Sequence, residues 1–416
     1  MAAKFHFECT DCGATFEPAE VSYLCPACEK KNSAKEPPFG VLKTLYPYET
    51  LLERFGENVF RELKSRHFID LLPINHLKSL PNLNVGNTPL YHYAVEGQNE
   101  TAVNLFLKDD SQNPTFSFKD RASALVSAFA LENKLETIVA ASTGNAGSSL
   151  AGICAAQGQK AVILVPANAP KAKLTQIVMY GATIVPVDGT YDDAFDMSIE
   201  ASCKFGWYNR NTAYNPLTIE GKKTVAFELF AQMNQNIPDR IFVPVGDGVI
   251  ISGVYKGFED LLKLEIIHKM PVIVAVQSSG SSNIINNLEK DDFTVTPSHT
   301  IADSISVDIP RNFRMAKKFL LQYKGEKLSV SDEEIISASK LLSSKTGLFA
   351  EPAAATAYAG FLSYLENNML EPESTNVVLL TGSGLKDLNT VQPVVHIPGA
   401  VKPDIGLIEK FLKKAL

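Results

Sequence analysis

The sequence has no apolar run of membrane-spanning length, and no charged-then-apolar leader opens it. Both absences point to a cytoplasmic protein with no membrane partner. It has no long basic run either: 39 Lys and Arg against 46 Asp and Glu leave a formal net charge of −7. That balance offers nothing for a nucleic acid or another polyanion to bind. There is no internal repeat and no low-complexity segment, which sets aside repeat and tract architectures. Only six cysteines occur, and without a secretion signal they argue against a disulfide framework. What is there is 416 residues, 45% hydrophobic, enough for two or three globular domains with ample core.

Two of the cysteines, Cys154 and Cys203, sit singly in helix-like segments and read as buried, unpaired thiols. The other four form two knuckles, Cys9-Thr10-Asp11-Cys12 and Cys25-Pro26-Ala27-Cys28, with twelve residues between them. Four thiolates at this spacing close a tetrahedron around one zinc ion. All four positions are protein ligands, so the site is structural and leaves no place for water. The expectation is a small zinc ribbon over residues 1–32, with residues 13–24 making a hairpin between the knuckles. The intervening residues are not basic, which speaks against a nucleic-acid finger. Residues 30–38, polar and with paired prolines, read as a linker.

From Leu105 onward apolar strands alternate with amphipathic helices, the pattern of an α/β fold with mainly parallel sheets flanked by helices. Strands are expected at 104–108, 137–141, 161–165, 183–187, 240–244, 272–277 and 375–380. Helices are expected at 144–156, 171–180, 191–205, 219–232, 249–264, 332–343, 352–366 and 404–415.

Four polar stretches stand where a strand hands over to a helix or a turn, the edge at which α/β proteins bind ligands. The first, residues 113–121, carries Lys119 ahead of a small-residue helix. Alone it reads equally as a surface lysine beside Asp120 and Arg121. The second, Ala141-Ser142-Thr143-Gly144-Asn145, opens a helix with hydroxyls and free N–H groups, suited to a carboxylate. Ordinary helix capping explains it as well. The third, Gly246-Asp247-Gly248-Val249-Ile250, is shaped to cradle a phosphate. It is neither a P-loop, since Val254 stands where Lys is needed, nor a dinucleotide fingerprint, since Ile251 takes the third glycine position. Asp247 would repel a phosphate if it faced one; it either points away or caps the helix. The fourth, residues 381–387, offers the hydroxyl of Thr381. Together a nucleophilic lysine, a carboxylate loop, a phosphate loop and a hydroxyl are what an amino-acid enzyme using pyridoxal phosphate needs. Lys119 would hold that cofactor as a Schiff base.

These segments, with Asn215–Thr224 (NPLTIEGKKT) and residues 351–355, resemble the threonine synthase family, within the tryptophan-synthase-like, fold-type II pyridoxal phosphate enzymes. The resemblance runs from about Gly86 to Asp387 and implies a two-domain fold: a large domain from 33–112 and 219–416, and a small mobile domain from 113–218. It implies Lys119 as the cofactor lysine and catalytic base, Phe118 packed near the ring, and Asn145 on the ring hydroxyl. It places Gly246, Asp247, Gly248, Val249 and Ile250 around the cofactor phosphate and Thr381 at the pyridine nitrogen. Ser142, Thr143 and Asn215 would meet the substrate. The implied reaction turns O-phospho-L-homoserine and water into L-threonine and phosphate, in a homodimer.

The sequence departs from the family's pattern at several points. Phe116 and Ala122 stand where glycines are usual, Ala146 where Thr is common, and Leu217-Thr218 where an Arg grips the substrate's phosphate. Lys173, Lys222 and Lys223 are the nearby lysines that would replace it. The missing Arg keeps a related reading open: a threonine or serine ammonia-lyase, or a β-replacement enzyme like cysteate synthase. A non-catalytic protein that kept the fold is the third reading, and retention of Lys119, Asn145 and Thr381 argues against it.

Overall fold

Runs such as Arg240–Pro244 and Val272–Ser278 are apolar on both faces, so each needs strands beside it and helices above and below. The computed structural model describes residues 3–33, 36–96 and 102–415. Its strands are β1 His6–Cys9, β2 Thr15–Phe16, β3 Leu42–Leu45, β4 Leu90–Glu96, β5 Ala102–Asp109, β6 Thr137–Ala141, β7 Lys160–Pro166, β8 Thr183–Val187, β9 Tyr208–Asn209, β10 Arg240–Pro244, β11 Val272–Ser278, β12 Glu326–Val330 and β13 Thr375–Leu380. The larger sheet has the order β12-β11-β10-β13-β5-β4, all parallel except β4 against β5. A second, wholly parallel sheet has the order β8-β7-β6-β9.

The strand order positions the site. β10, β13 and β5 lie side by side with their C-terminal ends at one edge. The phosphate-type loop, the Thr381 loop and the Lys119 loop leave from those three ends. The Ser142 loop leaves β6 of the second sheet. This is the crevice beyond the strand ends where open parallel sheets bind ligands.

The expected strands at 137–141, 183–187, 240–244 and 375–380 are present with those bounds. β12 and the helix Phe313–Gln322 escaped the sequence reading. β12 is an edge strand whose alternating Glu326, Lys327 and Ser329 hide its pattern, as protected edges do.

The N-terminal unit differs from expectation. β1 pairs with β2 around the first knuckle and with β3 on its other side, both antiparallel. The hairpin therefore wraps Cys9–Cys12 and does not fill 13–24, and the sheet is closed by a strand from beyond the 30–38 stretch. Phe7, Leu42 and Tyr46 belong to the same hydrophobic cluster as Val254, Phe258 and Phe319. Polar links run alongside: Lys43 pairs with Glu259 at 3.1 Å, and the Tyr46 hydroxyl donates to Glu220 at 2.5 Å. The ribbon is part of the main core. Cys154 is buried as expected, but Cys203 is exposed, because the outer face of the helix Tyr191–Phe205 carries it.

Candidate functional site

The lysine loop is built as a rigid turn. Asp120 accepts from the Thr115 N–H at 2.7 Å and from its hydroxyl, and the Asn113 amide oxygen accepts from the Gly86 N–H at 2.9 Å. Two backbone bonds then zip the loop to the one that follows β13. The Phe118 N–H donates to the Thr381 carbonyl at 2.9 Å, and the Ser383 N–H to the Phe116 carbonyl at 3.1 Å. Lys119 follows as the first residue of the helix Lys119–Glu132.

Arg121, the third residue of that helix, is buried between Asp110 and Glu228, each at 2.6 Å. Burial works against the charge of Glu228, yet Arg121 and Lys108 hold its pKa down at about 2. Behind this pair, Gly221 of the helix Leu217–Gln232 passes so close that a Cβ would stand 2.2 Å from the Arg121 carbonyl. Phe118 is fully buried, with the Arg121 guanidinium 5.4 Å from its ring centroid. It packs into the core beneath the lysine and does not line the cavity in front of it.

Phe116 has φ +68° and is 50% exposed. That left-handed conformation costs a side-chain residue about 1–2 kcal/mol and explains why the related pattern uses glycine there. Phe116→Gly is expected to raise apoprotein stability by about 1 kcal/mol, and Phe116→Val to lower it, read as shifts in the denaturant midpoint.

Lys119 shares a cavity with Thr212, Lys222, Gly246–Ile250, Ser304 and Ile305. Burial pushes the Lys119 pKa down; Glu351 and Asp247 oppose this, and Arg210 adds to it. A depressed ammonium pKa leaves more free amine, which a nucleophile or base requires. Gly248, at φ +83°, turns the chain into the helix Val249–Lys263, whose first N–H groups have no partner within the helix. Asp247 lines the same cavity but is held by the loop opposite. Its carboxylate accepts from the Arg311 N–H at 3.1 Å and its carbonyl from the Asn312 N–H at 2.9 Å.

Ser142 accepts from the Gly144 N–H at 3.2 Å, and Thr143 sits half-buried beside it, ahead of the helix Asn145–Gln157. Asn145 donates to both oxygens of Glu351, at 2.9 and 3.0 Å, and to Ser304 at 3.2 Å. Burial raises the Glu351 pKa, with Asn145 and Lys119 opposing. Gly382 gives this carboxylate room, since a Cβ there would come within 2.6 Å of it. Thr381 is buried at the end of β13.

The structure does not bring Asn215 into this group. Its amide donates to the Asn209 carbonyl at 2.7 Å and accepts from the Leu217 N–H at 2.9 Å, so both ends are taken by backbone. Thr218 is also buried, donating to the Asn215 carbonyl at 2.8 Å.

Sequence reasoning missed Glu351, Arg210 and the role of Lys386. Lys386 donates to the Thr115 carbonyl at 3.0 Å, to Ser148 at 2.9 Å and to Gln176 at 2.7 Å. It thus ties the β13 loop to helices of the smaller sheet; burial lowers its pKa to about 8. Both Glu351 and Lys386 lie inside segments that stood out in the sequence, but residue type alone did not show where they point.

In the N-terminal unit, Sγ of Cys9, Cys12, Cys25 and Cys28 all lie within 4.8 Å of one another. The Cys9–Cys28 and Cys12–Cys25 separations are both 3.8 Å. A tetrahedron with zinc–sulfur bonds of about 2.3 Å has edges of about 3.8 Å, so the four thiolates fit one zinc ion. Among the described residues no helix is long and apolar enough to cross a membrane.

Comparison with known proteins agrees with this geometry. Residues 82–382 match the family of pyridoxal-phosphate dependent enzymes. The chain is 32% identical to the threonine synthase of Methanocaldococcus jannaschii over 412 residues, 98% of this chain and 99% of that protein. It is 31% identical to that of Methanosarcina acetivorans, covering 98% of each. It is 33% identical to that of Mycobacterium tuberculosis, covering 81% of this chain and 94% of the other. Among solved structures, the processed form of threonine deaminase isoform 2 from Solanum lycopersicum superposes with TM-score 0.66 at 22% identity, over 81% of this chain and 94% of that one. Diaminopropionate ammonia lyase from Escherichia coli gives TM-score 0.64 at 18% identity, over 82% and 92%. These structures share the fold-type II architecture.

Proposed function

The chain belongs to the threonine synthase family of pyridoxal-phosphate dependent enzymes, and we propose that it converts O-phospho-L-homoserine and water to L-threonine and inorganic phosphate. That it is a pyridoxal phosphate-dependent, threonine synthase-like lyase follows from the family; the particular substrate is our reading. The observation that carries it is that Lys119 and the Gly246–Ile250 loop wall one cavity, in a chain that aligns with threonine synthases along nearly its whole length.

In this reading the backbone N–H groups of Gly246–Ile250 hold the cofactor phosphate at a helix start. Thr381 offers its hydroxyl to the ring nitrogen, and Asn145 its amide to the ring hydroxyl. Bound there, pyridoxal phosphate supplies an electron sink for the charge left when the substrate's α-proton departs. Ser142 and Thr143, with the N-terminus of the helix Asn145–Gln157, grip the α-carboxylate. Lys119 Nζ takes the α-proton, and desolvation favours the neutral amine this needs. Loss of a β-proton would then let phosphate leave from the γ-carbon; protonation at the γ-carbon, addition of water at the β-carbon and return of the α-proton would complete threonine, with one water consumed and one phosphate released. Residues 113–218 act as a mobile domain that closes and keeps bulk water out. Asn215 supports the substrate side by fixing the start of the helix Leu217–Gln232. The four cysteines hold a structural zinc, and the protein works as a cytoplasmic homodimer.

One observation favours a second reading. Thr218 is buried and bonded to the Asn215 carbonyl, so this turn offers no guanidinium to a substrate phosphate. Arg is the side chain suited to bidentate phosphate contact. An ammonia-lyase or β-replacement enzyme needs no such grip. The two are separated by incubating the enzyme with O-phosphohomoserine and, in parallel, with serine and threonine. Phosphate and threonine appearing together is the expected result. Ammonia from serine or threonine without phosphate release would overturn it.

A further inference from the structure

Helices Leu217–Gln232 and Val249–Lys263 cross at Gly253, where an added Cβ would stand 2.7 Å from Cβ of Lys222. This close approach seats Lys222 against the helix that the Gly246–Gly248 turn opens. The Lys222 side chain is fully buried, and its Nζ has no hydrogen-bond partner. It lines the cavity that Lys119 and Gly246–Ile250 also line.

The neighbouring lysines are different. Lys223 is equally buried but bonded to Glu220 at 2.5 Å and Asp260 at 2.7 Å. Lys173 pairs with Asp303 at 2.8 Å on the surface. Of the three, Lys222 alone has no counter-charge in contact. Burial pushes its pKa well down, Arg210 and Lys119 push it further, and Asp247 opposes. Buried cations persist where something pairs with them. A cavity walled by free helix-start N–H groups and two lysines calls for an anion, and the one carboxylate in its lining, Asp247, is already engaged by the Arg311 N–H.

We propose that Lys222 binds the cofactor's phosphate directly, adding a side-chain charge to the backbone cradle of Gly246–Ile250. The proposal rests on the cofactor reading above. The cofactor's phosphate is favoured over a substrate's because Ser142, Thr143 and Thr218 do not line this cavity, whereas the whole glycine loop does. In this role Lys222 sets cofactor affinity and leaves the α-proton chemistry to Lys119.

The test titrates apoprotein with pyridoxal phosphate and, separately, with unphosphorylated pyridoxal, following the absorbance of the bound form. Lys222→Met is expected to weaken pyridoxal phosphate by about ten- to a hundred-fold, the worth of one charge-assisted hydrogen bond, and to leave pyridoxal affinity unchanged. Lys222→Arg is expected to keep most of the preference for the phosphorylated form. Lys222→Met apoprotein should melt no lower than wild type, since a buried polar group with no hydrogen-bond partner has been removed. Equal weakening of both ligands, or a lower melting point, would make Lys222 a packing residue and overturn the proposal. Unchanged cofactor affinity with a raised KM for O-phosphohomoserine would place its charge at the substrate and also overturn it. Wild-type protein that binds neither ligand would sink the cofactor reading itself, a result distinct from any seen only in the variants.

Discussion

Lys119→Ala is expected to lower turnover by about a thousand-fold or more, the range that a positioned proton-transfer group contributes. It should also abolish the borohydride-fixed label that wild-type protein carries on that residue. The variant should fold, because the bonds that shape the loop do not use the lysine side chain. Phe118 N–H to Thr381, Asp120 to Thr115 and Arg121 to Asp110 and Glu228 all remain. The environment of Lys119 argues for its role independently of sequence likeness. Burial disfavours its ammonium form, while Glu351 and Asp247 oppose that shift. A lowered ammonium pKa favours the free amine that a nucleophile or base needs. Turnover and labelling unchanged in Lys119→Ala would make another lysine the cofactor's partner, and Lys222 is the one next to it in the cavity.

Replacing Cys9 and Cys28 together by serine is expected to remove one zinc per chain and to produce the largest loss of stability of any surface-distant change considered. Structural zinc sites contribute about 10–16 kcal/mol to small isolated zinc domains, an upper bound here because the ribbon also packs on the core. The damage should reach the cofactor half. Tyr46 donates to Glu220, Tyr48 to Asp260 at 2.6 Å, and Lys43 pairs with Glu259. Glu259 and Asp260 lie on the helix whose N-terminus follows Gly248, so loosening the ribbon exposes a buried charge network and frees that helix. The variant should therefore melt lower and bind pyridoxal phosphate more weakly than wild type. Metal analysis of reduced protein, with melting curves in the presence and absence of a chelator, checks both parts. Zinc-free wild-type protein, or a melting point indifferent to chelation, would refute the structural zinc.

The two sites show how far residue patterns carry. Parallel core strands such as Thr137–Ala141 and Arg240–Pro244 could be bounded from the sequence because a strand buried on both faces is an unbroken apolar run. The cysteine cluster was legible because two closely spaced cysteine pairs are a pattern visible along the chain. Lys119 was legible as a lysine at a strand-to-helix handover. In each case the decisive contacts are close along the chain.

Partnership between distant segments was not legible. Lys222 and Lys223 are adjacent, equally charged and equally buried, yet one is bonded to two carboxylates and the other faces the cavity unpaired. That difference is set by which side of the helix Leu217–Gln232 meets the helix Val249–Lys263. Glu351 gave no sign that Asn145, on the other sheet, would bond it. The ribbon looked like an appendage until β3 closed its sheet and Tyr46 entered the main core.

By itself the sequence placed most of the elements and pointed to a four-cysteine cluster and a lysine at a strand-to-helix handover, since periodicity and spacing are local properties of the chain. Only the tertiary structure decided that β10, β13 and β5 stand side by side, bringing the Lys119 and Gly246–Ile250 loops to one cavity with the Thr381 loop bonded behind them, and which buried charges have partners there. The reason is physical: a buried charge is stabilised by whatever packing places within a few ångströms of it, and packing joins segments that the sequence keeps far apart.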